Sequence, residues 1–182
     1  DGQLAGLQRI GIPEAEGRAL RGVEAEPRYL RRLATLAARD GWFDELPRDL
    51  GPGIVVERRP VVIALIEIPR GEEIPLHDHA GYCAVLRTLA GRPTLRAYDV
   101  LGEARRADRV LLAPRPEIVL APGDVETAGT TEANVHGIAS GEGDALLVDL
   151  FTLHGPRPSS RRVHIEDAGP GSTQFARRGG VL

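Results

Sequence analysis

Two periodicities divide the chain near residue 50. Before it, Pro27-Arg-Tyr-Leu-Arg-Arg-Leu-Ala-Thr-Leu-Ala-Ala-Arg39 sets Leu30, Leu33, Leu36 and Ala37 on one face at the 3.6-residue period. The leading Pro and the Gly41 beyond predict an amphipathic helix between them. A weaker helical stretch is predicted over residues 2–10. From Ile54 onward the pattern changes to short runs rich in β-branched and apolar residues, separated by turn residues. Strands are predicted near 54–58, 61–68, 74–78, 82–89, 94–99, 109–113, 116–121, 134–139, 145–153 and 161–166. Separators such as Pro69-Arg-Gly71, Ala90-Gly-Arg-Pro93 and Ala139-Ser-Gly-Glu-Gly-Asp144 mark the turns between them. Many short strands at regular spacing predict a mainly β fold, closed or double-sheeted, of which the jelly roll is one solution. The Gly-, Ser- and Arg-rich tail from Gly169 to Gly180 reads as loosely ordered. The organisation expected is one domain over 1–182, with a helical segment over 1–50, a β-barrel over 54–166 and a tail over 167–182.

Composition narrows the functions. At 182 residues the chain suits one domain with a sizeable core. A net charge of −3 argues against an electrostatic nucleic-acid binder. All 23 basic residues are Arg, a bias that reads as genome composition. No apolar run reaches the ~18 residues of a transmembrane helix, and no secretory signal pattern is visible at the N-terminus. The lone Cys83 excludes an internal disulfide framework and suits a reducing compartment, so a cytoplasmic location is expected.

The candidate chemistry sits in Ile74-Pro-Leu-His-Asp-His-Ala-Gly-Tyr82. Side chains two apart on a strand share a face, so His77 and His79 would point inward together and Asp78 outward. Paired imidazoles are half of a metal site suited to zinc, copper, iron or nickel. The plain alternative is two exposed histidines at a strand end. His136, in the strand-like run Ala133-Asn-Val-His-Gly-Ile-Ala139, is the third ligand expected, facing the pair from an opposing strand across the interior. His154 ranks lower, at the pocket mouth, and His164 reads as surface. Three neutral ligands leave coordination positions open, unlike a closed structural site. Asp149 lies in an otherwise apolar strand, where an unpaired carboxylate is costly. It is the candidate partner for a ligand imidazole, and a solvent-facing edge position is the alternative. Cys83 reads as a small buried residue or as a neighbour of the metal. Arg87 could pair with Asp99 or Asp149. Arg157, Arg161, Arg162, Arg177 and Arg178 read as solvated surface.

The segment Ile68-Pro-Arg-Gly-Glu-Glu-Ile-Pro-Leu-His-Asp-His-Ala-Gly81 resembles the metal strand of the cupin superfamily. Specifically, it is similar to the thiol dioxygenases that include cysteamine dioxygenase and the plant cysteine oxidases. That family shows Ile-Pro-Leu-His-Asp-His-Pro-Gly, and Ala80 replaces its Pro here. Val85-Leu-Arg-Thr-Leu-Ala-Gly91, Leu95-Arg-Ala-Tyr-Asp99, Asn134-Val-His136 and Ala145-Leu-Leu-Val-Asp149 extend the likeness over about residues 54–166. Ordinary cupins add a carboxylate four or five residues after the second histidine, where this chain has Cys83 and Ala84. The family's late Gly-Pro-Pro-Tyr is also missing, replaced by Leu150-Phe-Thr-Leu-His-Gly-Pro-Arg-Pro158.

The resemblance implies a cupin double-stranded β-helix holding Fe(II) on His77, His79 and His136, with O2 as co-substrate. The implied activity is oxidation of a thiol to a sulfinic acid. The implied substrate is a cysteamine-like aminothiol or the N-terminal cysteine of a peptide, with neither nucleic acid nor membrane as partner. Some members carry a Cys–Tyr thioether, for which Cys83 with Tyr82 or Tyr98 would be the local residues. Two other classes stay open: a cupin metalloenzyme of different chemistry, and a non-catalytic cupin that binds a small molecule. A monomer and a dimer are both compatible with the sequence.

Overall fold

The computed structural model describes residues 26–39, 51–103, 109–155, 157–168 and 173–181. The helix expected over 2–10 lies outside them. The other predicted helix is α1 (Glu26–Ala37), which buries Leu30, Leu33 and Ala37 of the predicted face together with Tyr29, while Leu36 is only half-buried. Arg87 donates from Nη1 to the carbonyls of Ala37 and Arg39 at the end of α1, the second at 3.1 Å. This guanidinium therefore satisfies carbonyls that the helix leaves open. Asp99, one of the partners expected for Arg87, instead accepts from Arg115 Nε at 2.7 Å.

Twelve strands follow among the described residues: β1 (Gly53–Arg58), β2 (Val61–Ile68), β3 (Glu73–His77), β4 (Tyr82–Ala90), β5 (Thr94–Glu103), β6 (Arg109–Pro114), β7 (Ile118–Val119), β8 (Val125–Ala128), β9 (Val135–Ala139), β10 (Ala145–Leu153), β11 (Arg161–Ala168) and β12 (Gln174–Val181). They form two sheets, one ordered β1-β2-β10-β4-β8 and the other β6-β12-β11-β3-β9-β5-β7. The result is the double-sheet jelly roll that the resemblance implied, with α1 on the first sheet.

Two strands depart from the sequence reading. β8 was not expected, because Val-Glu-Thr-Ala is short and only half apolar. β12 occupies most of the tail read as loose. It pairs with β11 along one edge and with β6 along the other, so ladder bonds on both sides hold a segment of weak strand propensity. β6 also pairs with β5. The second sheet is thereby joined end to end through β6, β12, β11, β3, β9 and β5. The barrel consequently extends beyond the 54–166 expected from the pattern.

Three apolar clusters follow from this layering. One joins α1 to the outer face of the first sheet through Leu30, Leu33, Ile63, Cys83, Val85, Val148 and Leu150. A second fills one end of the space between the sheets, with Ile68, Leu86, Leu95, Leu120, Ile138 and Leu147. The third, Val110, Leu112, Val135, Val163 and Ala176, belongs to the joined strands of the second sheet. β10 lies between β2 and β4 and is buried on both faces, as its nearly continuous apolar run requires. Its alternation sends Val148 and Leu150 toward α1 and Asp149 toward the space between the sheets.

Candidate metal centre

β3 ends at His77, and the chain runs on extended, with Asp78 N–H donating to the Arg161 carbonyl at 3.0 Å and Ala80 bridged antiparallel to Ser159. The two imidazoles share a side, with ring centroids 5.3 Å apart. His136 comes from β9, which is the neighbour of β3 in the same sheet, and not from a strand across the interior as expected. His77 and His136 are direct Cα partners in that antiparallel pair. Cross-strand partners place their Cβ atoms about 5 Å apart, which brings the rings together without any long reach. The His136 ring stands edge-on to both others, each centroid 4.7 Å away. One ligand nitrogen from each of the three residues can be chosen so that all lie within 4.8 Å of one another. No carboxylate or thiol joins this group among the described residues.

Each ring is oriented by its surroundings. His77 Nδ1 lies 2.9 Å from the Pro75 carbonyl oxygen. Donation there leaves the Nε2 lone pair for a metal. His79 stacks on Tyr82 at 4.4 Å, and the Tyr82 hydroxyl is hydrogen-bonded to Ser160 Oγ. Asn134 Nδ2 donates to the His79 carbonyl and to the Gly129 carbonyl, both at 2.9 Å, tying the His79 backbone to the β8–β9 connection. Both ring nitrogens of the buried His79 lack a hydrogen-bond partner among the described residues. A buried polar atom left so is costly, and a metal ion is one partner that would satisfy it.

Burial keeps all three rings neutral, the form that ligates a metal. It pushes His136 down to about 3, with the nearby His77 adding to the effect. It holds His79 well below the usual imidazole value, assisted by His136 and His77. For His77 burial also lowers the value, against opposition from the Pro75 hydrogen bond and the Asp78 charge. The donor set and its protonation state therefore fit a divalent cation.

Asp149 lines the same cavity of ≈ 350 Å³, together with His77, His136, Tyr82, Phe151, Ile66, Ile74 and Ile138. Burial raises its carboxyl to about 8 despite a backbone hydrogen bond at Leu150, and its Oδ1 has no partner among the described residues. The expected hydrogen bond from a ligand imidazole to Asp149 is not formed, since His77 uses a backbone carbonyl and the His79 nitrogens have no partner. Asp149 is neither at a sheet edge nor solvent-facing; it is 4% exposed on a central strand. A second cavity, of ≈ 190 Å³, reaches His136 from the β4–β8 side, past Ala84, Leu86 and Ala97.

The remaining residues singled out in the sequence fall elsewhere in the fold. Cys83 points away from the histidines into the cluster beneath α1, and burial pushes its thiol up to about 12. Tyr82 faces the opposite side of β4, so neighbours in sequence do not meet as a Cys–Tyr pair. Tyr98 packs against the third cluster. His154 lies 3.7 Å from Glu26 at the start of α1 rather than in the walls of the histidine cavity. His164 is exposed, as expected. Asp78 is not solvent-facing; it is 1% exposed and ion-paired to Arg161 and Arg178, each at 2.8 Å. Those two arginines are correspondingly not simple solvated surface. The sequence reading also missed Tyr82 as a wall of the site and Asn134 as a backbone tie. For Asn134 a signal existed, since an Asn two positions before His136 shares its side of the strand.

No family model matches the chain, and no curated protein matches it by sequence. Among solved structures it is similar to KdgF from Halomonas sp., with 22% identity, a TM-score of 0.41 and coverage of 59% of this chain and 87% of that one. A cupin superfamily protein from Desulfitobacterium hafniense DCB-2 gives 19% identity, a TM-score of 0.42 and coverage of 68% and 88%. The DMSP lyase DddQ from Ruegeria pomeroyi DSS-3 gives 17% identity, a TM-score of 0.39 and coverage of 56% and 43%. The assignment of a jelly roll with three convergent histidines rests on strand order and side-chain geometry in this chain.

Proposed function

We propose that the chain is a ferrous thiol dioxygenase converting an aminothiol, or the N-terminal cysteine of a peptide, into a sulfinic acid. The observation that carries this reading is the three-imidazole cluster with no carboxylate in it. When bound at His77, His79 and His136, Fe(II) would lower the thiol pKa and bring thiolate and O2 together. The reaction balances as R–SH + O2 → R–SO2H: two S–O bonds form, the O–O bond breaks, sulfur is oxidised and oxygen reduced, and no external reductant is needed.

The chain's own residues supply the rest. Ile66, Ile138 and Phe151 make the cavity wall apolar, which keeps water from competing for the open positions. Asp149 offers a carboxylate oxygen without a partner inside that wall. An ammonium group of the substrate beside it would favour the charged form, offsetting the burial that raises its pKa. Tyr82, stacked on His79, closes one side.

The test is oxygen uptake by Fe(II)-loaded, anaerobically prepared protein given cysteamine, cysteine or a Cys-initiated peptide, with products examined for a gain of two oxygen atoms. Uptake is expected with at least one thiol and is abolished in His77→Ala and His136→Ala. Asp149→Asn is expected to retain iron and lose about 100-fold or more in rate. Stoichiometric iron with no uptake on any of the three thiols would overturn the reading.

A further inference from the structure

His77 and His79 flank an acid held by two guanidiniums at once. Asp78 Oδ1 accepts from the Arg161 backbone N–H at 2.9 Å, and Oδ2 accepts from Arg161 Nη2 at 2.8 Å. Arg178 Nε lies 2.8 Å from the same Oδ2. The backbone is held as well, with Asp78 N–H donating to the Arg161 carbonyl at 3.0 Å. The carboxylate is 1% exposed and the Arg178 side chain 11%. So buried a charge is tolerated only when paired and hydrogen-bonded, and this one is bound to two strands at once, β11 through Arg161 and β12 through Arg178.

The position of this clasp matters because Asp78 is the link between the two imidazoles. β3 stops at His77, and the His79 backbone is then held between Asp78 on one side and the Ala80–Ser159 bridge, with the Asn134 bond to its carbonyl, on the other. We infer that Asp78, clasped by Arg161 and Arg178, is a positioning residue of the metal centre, and that the C-terminal strand β12 is thereby part of the site's support. This role rests on the reading of the three histidines as a metal site. It gives the inter-histidine residue a role distinct from ligation and from contact with substrate. A clasp of two guanidiniums on one carboxylate fixes both the side chain and, through the paired Arg161 N–H and C=O contacts, the peptide that carries it.

The test uses the full chain, metal-free and then titrated with Co(II), reading affinity by competition with a chelating dye and geometry by the visible absorption of bound Co(II). Asp78→Asn and Arg178→Gln are expected to weaken Co(II) binding by about 10- to 100-fold and to alter the spectrum. Arg178→Lys is expected to recover part of both. Arg109→Gln breaks an ion pair with Glu166 elsewhere on the second sheet, and is expected to leave affinity and spectrum unchanged. Thermal unfolding of the metal-free variants separates positioning from general destabilisation, since Co(II) affinity should fall further than metal-free stability accounts for. Should Asp78→Asn fail to fold, Arg178→Gln decides. Folded variants that bind Co(II) with wild-type affinity and spectrum overturn the inference while leaving the three-histidine site intact. A wild-type chain that binds no Co(II) overturns the metal reading beneath it as well.

Discussion

Burial leaves the three site histidines neutral at a pH where free imidazoles are charged, and this has a thermodynamic consequence. Unfolded histidines titrate near 6.5, whereas His136 in the folded chain does so near 3. Between those values the unfolded chain binds more protons, so metal-free stability rises with pH across about 3 to 6.5 and is lost as pH falls through it. Asp149 acts in the opposite sense. Its folded value of about 8 exceeds the unfolded 3.8, so the native state binds more protons in that window and stability falls as pH rises toward 8. From pH 6.5 to 8 only the Asp149 slope is expected among these groups, at up to roughly 1 kcal/mol per pH unit. Urea midpoints of the metal-free protein should decline there, and Asp149→Asn should remove the decline. Parallel profiles for the two proteins would show that Asp149 is already ionised. At this scale the histidines were legible because alternation along an extended chain places residues i and i+2 on one side, here past the end of β3. The Asp78 clasp was not legible, because its arginines are remote in sequence and nothing local marks them as partners.

Among the elements, the turn after β3 and the turn after β10 meet at two glycines. Gly81 has φ +76°, and Gly155 approaches so closely that a Cβ on it would stand 2.6 Å from Gly81 Cα. The Gly81 carbonyl accepts from both His154 N–H and Gly155 N–H, at 3.0 and 2.7 Å. Gly155→Ala is therefore expected to destabilise the protein by about 1–3 kcal/mol, read from urea unfolding, because backbone and not a flexible side chain must give way. α1 and ten of the strands were legible from period and punctuation. β8 and β12 were not. Four residues are too few to show alternation, and Gly179-Gly180 beside Arg177-Arg178 carries no strand signal of its own. Pairing on both edges, a non-local property, decides the state of β12.

For the whole molecule, the joint through β6 makes the second sheet depend on its last strand. Ala176 of β12 is wholly buried among Val110, Leu112, Val135 and Val163. A chain ending at Ala168 would uncover that cluster and leave edges of β6 and β11 unpaired. Such a truncation is expected to lose its near-ultraviolet circular dichroism and to bind a hydrophobic dye; retention of the native spectrum and a cooperative melt would contradict this. The mainly β class follows from strand number and spacing, which leave the jelly roll as one solution; the resemblance of the His77–His79 segment singled it out. That the second sheet closes through the tail could not be read from the sequence, because closure is a matter of which edges meet.

His77 and His136 face each other across the β3–β9 ladder from distant points in the chain. An ion shared by them would be a staple, closing the loop that a disulfide at the same positions would close, but made and unmade by metal supply rather than by oxidation. It would also accept a single alignment of the two strands, since a one-residue slip turns one imidazole to the other face. Amide hydrogen exchange in β3 and β9 should slow when metal is added. Metal scarcity would then reach beyond turnover to the chain's resistance to proteolysis, and so to how much of the protein a cell keeps.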